Sequence, residues 1–319
     1  MAKSNQFEVS IIILSYNPDY NKFIGSIRAA LRQQNVSFEI IIADDGSKED
    51  FFPKIKEFFQ RISFADYRLI KNKNNVGTVC NCLSAIKKSR AEYVFINSPG
   101  DFLFDPNTLR DFYRFAKNMH ADVCFGDYIP YYCCENTIKY DEYILPKNTM
   151  VYDKGIKNYK ISFLMGDGIC GASYFRSKKF AMMSFQYIAK HSKYVEDGTT
   201  TAFALVNNIP VHYYNRTIVW YEYGNGISTC QNDKWNTIIE TDFAKTYQAL
   251  LIDYPTDRVL KAALFYIKNK STRYWTKLFI FKYPIISVRK RLLRSNNSRR
   301  ATVLEEEKEY LKELMHNDR

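Results

Sequence analysis

The chain is short of chain-breakers and of histidine: 12 Gly, nine Pro and four His in 319 residues. That excludes a collagen-like or low-complexity protein, and the scattered histidines give no zinc spacing. No stretch approaches the run of about 18 apolar residues that a membrane-crossing helix needs. The seven cysteines contain no Cys-x-x-Cys pair. Their odd number, and an adjacent Cys133-Cys134 that an ordinary disulfide would strain, predict reduced, mostly buried thiols. The apolar run from Val9 ends at Ser15-Tyr16-Asn17-Pro18, so the N-terminus does not read as a signal peptide and a cytoplasmic location is expected. Also missing are Gly-x-x-x-x-Gly-Lys-Ser/Thr, Gly-x-Gly-x-x-Gly, Gly-x-Ser-x-Gly and His-Glu-x-x-His. Their absence disfavours a P-loop NTPase, a hydrolase of the nucleophile-elbow type and a zinc protease.

What is present is a globular composition with 23 Phe and 25 Tyr, and an uneven charge. The formal net charge is +12, yet residues 258–300 alone hold 13 basic side chains and no carboxylate. Residues 301–319 are acidic, and residues 1–257 are almost balanced. Basicity therefore belongs to one segment, which argues against a nucleic-acid-binding protein as a whole.

The first hundred residues alternate short β-branched runs with helical spacing. Strands are predicted at Val9–Leu14, Phe38–Ala43, Tyr67–Lys71 and Tyr93–Asn97, with helices over 19–34, Phe51–Arg61 and around Val79, Leu83 and Ile86. This pattern predicts parallel βαβ units in a doubly wound α/β sheet, whose ligands bind beyond the carboxyl ends of the strands. Those ends carry Tyr16 and Asn17, Asp44 and Asp45, Asn75 and Gly77, and Asp101. Such a rim suits a nucleotide diphosphate held through a divalent cation. Tyr16 could stack on a base, Asp45 could accept from a base N–H or ribose hydroxyl, and Gly77 would admit close backbone approach. Asp101 is a hard oxygen ligand for Mn²⁺ or Mg²⁺. Taken singly, each is as well explained by a turn or a cap.

Val9–Asn17, Ile40–Ser47, Asn74-Asn75-Val76-Gly77 and Glu92–Ile96 together resemble the opening of family 2 glycosyltransferases, inverting enzymes with the GT-A fold. The resemblance implies a mixed sheet with a Rossmann-like nucleotide-binding half. It assigns base stacking to Tyr16 and base reading to Asp45. The usual Asp-x-Asp or Asp-Asp pair is reduced here to Asn97-Ser98-Pro99-Gly100-Asp101. Asp101 falls on the metal-ligating carboxylate, and Gly100 falls where a preceding Asp would contact the ribose.

Tyr194-Val195-Glu196-Asp197-Gly198 resembles the family's Glu-Asp motif and makes Asp197 the base that deprotonates an acceptor hydroxyl; read without the family, Asp197 is a helix N-cap. Gly168 and Ser173 lie where the family has an acceptor-side strand and loop. Tyr221 and Glu222 belong to a stretch that resembles a late family segment able to fold over the donor. The resemblance thus implies transfer from a nucleotide-diphosphate (UDP) sugar to a saccharide, lipid-linked acceptor in surface-glycan synthesis. A catalytically silent nucleotide-sugar-binding scaffold of the same fold is the alternative.

The expected organisation is a catalytic domain over 1–230, with donor half 1–105 and acceptor half 106–230. A helical basic amphipathic region follows over 231–300, then an acidic helix within 301–319. Basic residues beside Trp275, Phe279 and Leu292 suit a helix lying on an anionic membrane surface, which would place the enzyme peripherally on the inner face of the plasma membrane. The last helix, Val303–Met315, carries a Leu304, Leu311 and Leu314 stripe expected to dock on the basic segment or on a second copy in a homodimer.

Overall fold

A computed structural model describes residues 6–134, 137–146, 149, 152, 156–164, 171–224, 233–269 and 299–315. The first half follows the expected alternation: β1 (Phe7–Ser15), α1 (Tyr20–Leu31), β2 (Phe38–Asp44), α2 (Phe52–Arg61), β3 (Tyr67–Lys71), α3 (Thr78–Lys88) and β4 (Ala91–Asn97). β1 pairs in parallel with β2 and β4, and β2 with β3. Both faces of β1 are covered, which is why it reads as an unbroken apolar run. Ile11 and Ile13 pack with Phe23 and Ile27 of α1 and Phe59 of α2. Their neighbours Ile12 and Leu14 pack on the other face with Val79 and Ile86 of α3.

The second half adds β5 (Phe102–Leu103), α4 (Thr108–Asn118), β6 (Val123–Cys134), β7 (Thr137–Tyr140), α5 (Ile156–Leu164), β8 (Tyr174–Ser177), α6 (Lys178–Ile188), α7 (Asp197–Val206) and β9 (Val211–Glu222). Among the described residues the strands form one nine-stranded sheet of order β3-β2-β1-β4-β8-β6-β9-β5, with β7 on β6. β8 runs antiparallel between β4 and β6, so the sheet is mixed. β9 is one strand, which accommodates an irregular register opposite Gly126 and Asp127 of β6.

Two C-terminal features are decided by packing. Helices α8 (Asp233–Asp253) and α9 (Arg258–Asn269) bury Tyr247, Leu250, Leu260 and Ala263 against Phe125, Tyr174 and Phe203. The chain from 233 to 269, assigned by sequence to the helical basic region, therefore shares its core with the acceptor half. Residues 270–298, including Trp275, Phe279 and Leu292, lie outside the described residues. The last helix is α10 (Glu305–Met315). Leu311 and Leu314 are buried with Phe102 and Trp220, and at Gly25 of α1 an added Cβ would sit 2.8 Å from the Leu314 carbonyl. It docks on its own catalytic domain, where Leu311 and Leu314 meet an apolar floor. Arg299 anchors this return through a two-pronged pair with Asp127, at 2.7 and 2.8 Å.

Among the described residues no helix is long and apolar enough to cross a membrane. Cys82 and Cys124 are buried free thiols, whereas Cys133 is exposed.

Candidate active site

The carboxyl ends of β1–β4 open onto a cleft of about 1050 Å³. Its lining brings Tyr16, Asn75, Asp45 and Asp101 together with Glu196, Asp197, Tyr221 and Glu222. The ring of Tyr16 is 53% exposed, free to take a flat partner.

Asp45 follows β2 and is almost fully buried. One carboxylate oxygen accepts from the Val76 N–H (2.9 Å) and the Asn72 side-chain amide (3.0 Å), the other from the Gly77 N–H (2.9 Å). Asp45 therefore holds the loop entering α3 against the rim. Gly77 has φ +91°, and a side chain there would run into Lys193; this is why a glycine sits at that turn.

Asp44 and Asn17 are not among the residues that line the cleft. Asp44 accepts from the Ser47 N–H (2.9 Å) and the Ser15 hydroxyl (3.1 Å). Asn17, at φ +47°, accepts from the Lys48 N–H (2.9 Å) while its own N–H donates to the Ser47 hydroxyl (2.7 Å). Both shape the loops behind the rim, because short polar side chains are good local turn formers.

At the centre lies the reduced Asp motif. Gly100 has φ +99°, its N–H donates to Ser26 Oγ (3.0 Å), and its carbonyl accepts from the Tyr131 hydroxyl (2.5 Å). A Cβ built on Gly100 would land on the Glu222 carboxylate. Glu222, at the end of β9, thus occupies the space that a side chain at position 100 would need. Its N–H donates to Asp101 Oδ1 (3.3 Å), and its carboxylate pairs with Lys22 of α1.

Burial pushes the Asp101 carboxyl up to about 8, with the Glu222 charge adding to the effect and hydrogen bonds from the Glu222 and Ser98 backbone opposing it. Among the described residues no three His, Cys, Asp or Glu side chains gather as a metal group. The Asp101 and Glu222 carboxylates both line the cleft and are hard oxygen groups, two being the number that a Mg²⁺- or Mn²⁺-type site often takes from protein when phosphates and water complete the shell.

Asp197 is the first residue of α7 rather than its cap, which is Glu196. Its Oδ1 accepts from the Gly198 N–H at 2.5 Å. Burial raises both carboxyls of this adjacent pair, Glu196 to about 8 and Asp197 in the same direction. The charge of Asp197 is a further cause for Glu196. The Gly198 N–H and the buried Arg176 guanidinium on β8 favour an ionised Asp197. Arg176 is itself 1% exposed, donates to Thr200 Oγ1 at 3.3 Å and lies over the Tyr174 ring. Gly171 leaves room for the pair, since a Cβ there would come within 2.8 Å of Glu196 Oε1.

On the acceptor side, Ser173 is buried beneath the cleft while Gly171 and Ala172 line it; Gly168 lies outside the described residues. Trp220 is core, donating to the Phe104 carbonyl (3.2 Å), and its neighbours Tyr221 and Tyr223 face the cleft. Sequence reasoning missed Lys22, Tyr194 and the α8 face of Trp235, Ile239 and Phe243, all of which line the cleft. The i, i+4, i+8 spacing of the last three was a helical stripe available in the sequence. Nothing local marks Lys22.

The family model for glycosyl transferase family 2 matches residues 10–191. A search of curated protein sequences returned no match. Similar solved structures include Staphylococcus aureus TarS 1-349, with a TM-score of 0.58 and 16% identity over 84% of this chain and 73% of that one. TarS 1-349 in complex with UDP-GlcNAc gives 0.58 and 15%, over 91% and 81%. The mannosyltransferase PcManGT from Pyrobaculum calidifontis, in complex with GDP-Man and Mn²⁺, gives 0.58 and 10%, over 93% and 77%. At such identities these structures speak for the fold alone, whereas the family match covers more than half of the chain. The chain belongs to glycosyl transferase family 2 and is a glycosyltransferase with a GT-A-like mixed α/β fold.

Proposed function

We propose that the enzyme transfers a sugar, with inversion at the anomeric carbon, from a UDP-linked donor to a saccharide on a lipid carrier during surface-glycan synthesis. One observation carries this reading: a single cleft holds the rim built by Tyr16, Asp45 and Asn75, the Asp101 and Glu222 carboxylates, and Asp197. Structural neighbours were solved with UDP-GlcNAc and with GDP-Man and Mn²⁺, which supports a nucleotide-sugar donor and a divalent cation.

Tyr16 stacks on the base. Asp45 keeps the 76–77 backbone at the rim and lies within reach of the base or ribose. Asp101 and Glu222 would hold a Mn²⁺ or Mg²⁺ ion, which supplies positive charge to the diphosphate leaving group. Lys22, beside Glu222, places a further positive charge at that point. Asp197 accepts the proton of the acceptor hydroxyl as it attacks from the side opposite the diphosphate. Arg176 and the Gly198 N–H favour the ionised form of that carboxylate against the burial that raises it, and burial beside Asp197 raises Glu196 to about 8. Residues 258–300 attach the enzyme to an anionic membrane surface, on the cytoplasmic side, where a lipid-linked acceptor would lie.

A thermal-shift panel of UDP- and GDP-sugars, followed by product analysis with the donor that binds, tests the reading. UDP-sugar stabilisation together with donor turnover is expected. Binding without any turnover or transfer would favour a silent scaffold instead. Flotation with neutral and anionic vesicles tests the membrane claim, with recovery expected on the anionic vesicles only.

A further inference from the structure

Asp242, on α8, is 5% exposed and outside every sequence motif. One of its oxygens, Oδ2, accepts four hydrogen bonds from the loop that leads into the base. The donors are the N–H groups of Lys193 (2.9 Å), Tyr194 (2.7 Å) and Val195 (3.3 Å), and the Ser192 hydroxyl (3.1 Å). Three successive backbone N–H groups aimed at one carboxylate form a nest of the kind that binds anions, and here the anion is built in.

The same loop is gripped from the other side. The Lys193 carbonyl accepts from the Val79 N–H (3.1 Å) at the start of α3, immediately after the turn that Asp45 secures. The Val195 carbonyl accepts from the Thr199 hydroxyl within α7. Residues 192–195 are therefore the strap between the donor-side loop and the helix that begins at Asp197. On α8 the next residue, Phe243, packs over Gly198, where a Cβ would collide with its ring. Helix α8 thus touches both ends of the strap.

We infer that Asp242 is a positioning residue for catalysis: it locks the 192–195 strap so that Asp197 is held at a fixed place relative to the donor loop. The inference rests on Asp197 being the base. The near-isosteric Asp242→Asn keeps the volume but removes the charge that three N–H groups and a hydroxyl share, and a misplaced base costs rate rather than donor affinity.

The test uses the full chain and steady-state hydrolysis of whichever UDP- or GDP-sugar it turns over fastest. Asp242→Asn should lower kcat at least about tenfold with donor KM within about twofold, and should displace the acid limb of the pH–rate profile. Ser192→Ala, which removes one of the four donors, should give a smaller loss in kcat with the same unchanged KM. An Asp242→Asn enzyme with wild-type kcat and pH profile overturns the inference. So does a Ser192→Ala enzyme with wild-type kcat if Asp242→Asn fails to fold. Asp197→Asn, measured in parallel, keeps the two readings apart: activity surviving there removes the base assignment itself, whereas its loss beside an unaffected Asp242→Asn removes only the positioning role.

Discussion

At the end of β2, Asp44 and Asp45 are buried yet well supplied with N–H and O–H donors. At the centre of the cleft, Asp101, Glu196 and Asp197 are also withdrawn from water, and there burial outweighs the donors and raises all three carboxyls. The contrast separates two uses of one residue type. A carboxylate whose charge is met by backbone N–H groups shapes a loop and holds it in place. One that folding leaves poorly compensated is poised to take up a proton, a cation or a substrate hydroxyl, as at many functional sites.

The sharpest way to break the comparison is at Asp197. Asp197→Asn should reduce transfer on the order of 10²- to 10⁴-fold, the usual contribution of a general base, while UDP affinity by calorimetry stays near wild type. Near-wild-type turnover would place Asp197 with the structural carboxylates.

Next come Asp101 and Glu222. Asp101→Asn and Glu222→Gln should each weaken Mn²⁺ binding in the presence of UDP by at least about tenfold, the lower end of what losing even an outer partner of a metal costs. Electron paramagnetic resonance of free Mn²⁺ reads this directly. Chelation should abolish activity and added Mn²⁺ or Mg²⁺ restore it. Undiminished activity in chelator would leave the diphosphate to Lys22.

A smaller effect is expected at the rim. Asp45→Ala strands the Val76 and Gly77 N–H groups and should cost about 2 kcal/mol of stability, measured by urea unfolding, with faster hydrogen exchange at 76–77. If stability is unchanged, Asp45 belongs with the poised group.

The smallest effect is on pH. Asp101 and Glu196 hold protons to about 8 when folded but release them at about 4 when unfolded. The folded state therefore binds more protons between those values, and stability falls as pH rises through them. Without ligand or cation, Tm should be higher at pH 6 than at pH 8.5, by a margin that shrinks in Asp101→Asn. A difference unaltered by that substitution would assign the effect to other groups.

The parallel strands of the first half were legible because each is buried on both faces and so appears as an unbroken β-branched run ending in polar residues. The same feature located the rim, Tyr16, Asp45, Asn75 and Asp101 included. Asp44 and Asn17 were not separable from their functional neighbours, since adjacent residues at a strand end share a motif while pointing to different sides of it. Gly100 could be read only as a loss. That Glu222 fills its side-chain space depends on β9 reaching the β4 end through β5, a contact across more than a hundred residues. Lys22 and Asp242 were invisible for the same reason: each acts on a residue far away in sequence, and nothing beside it hints at the partner.

Few chain-breakers, an unbroken alternation of strand and helix, and charge collected after residue 257 by themselves determined an α/β sheet with a polar rim and a basic stretch of chain after it. Those are properties of local pattern, which sequence carries directly. Tertiary structure alone decided which carboxylates are neutralised and which are left poised, that α8 and α10 close onto the catalytic domain, and that a glutamate from β9 stands beside Asp101. Burial and charge pairing are set by what surrounds a side chain in space, and the surroundings here come from strands and helices distant in the chain.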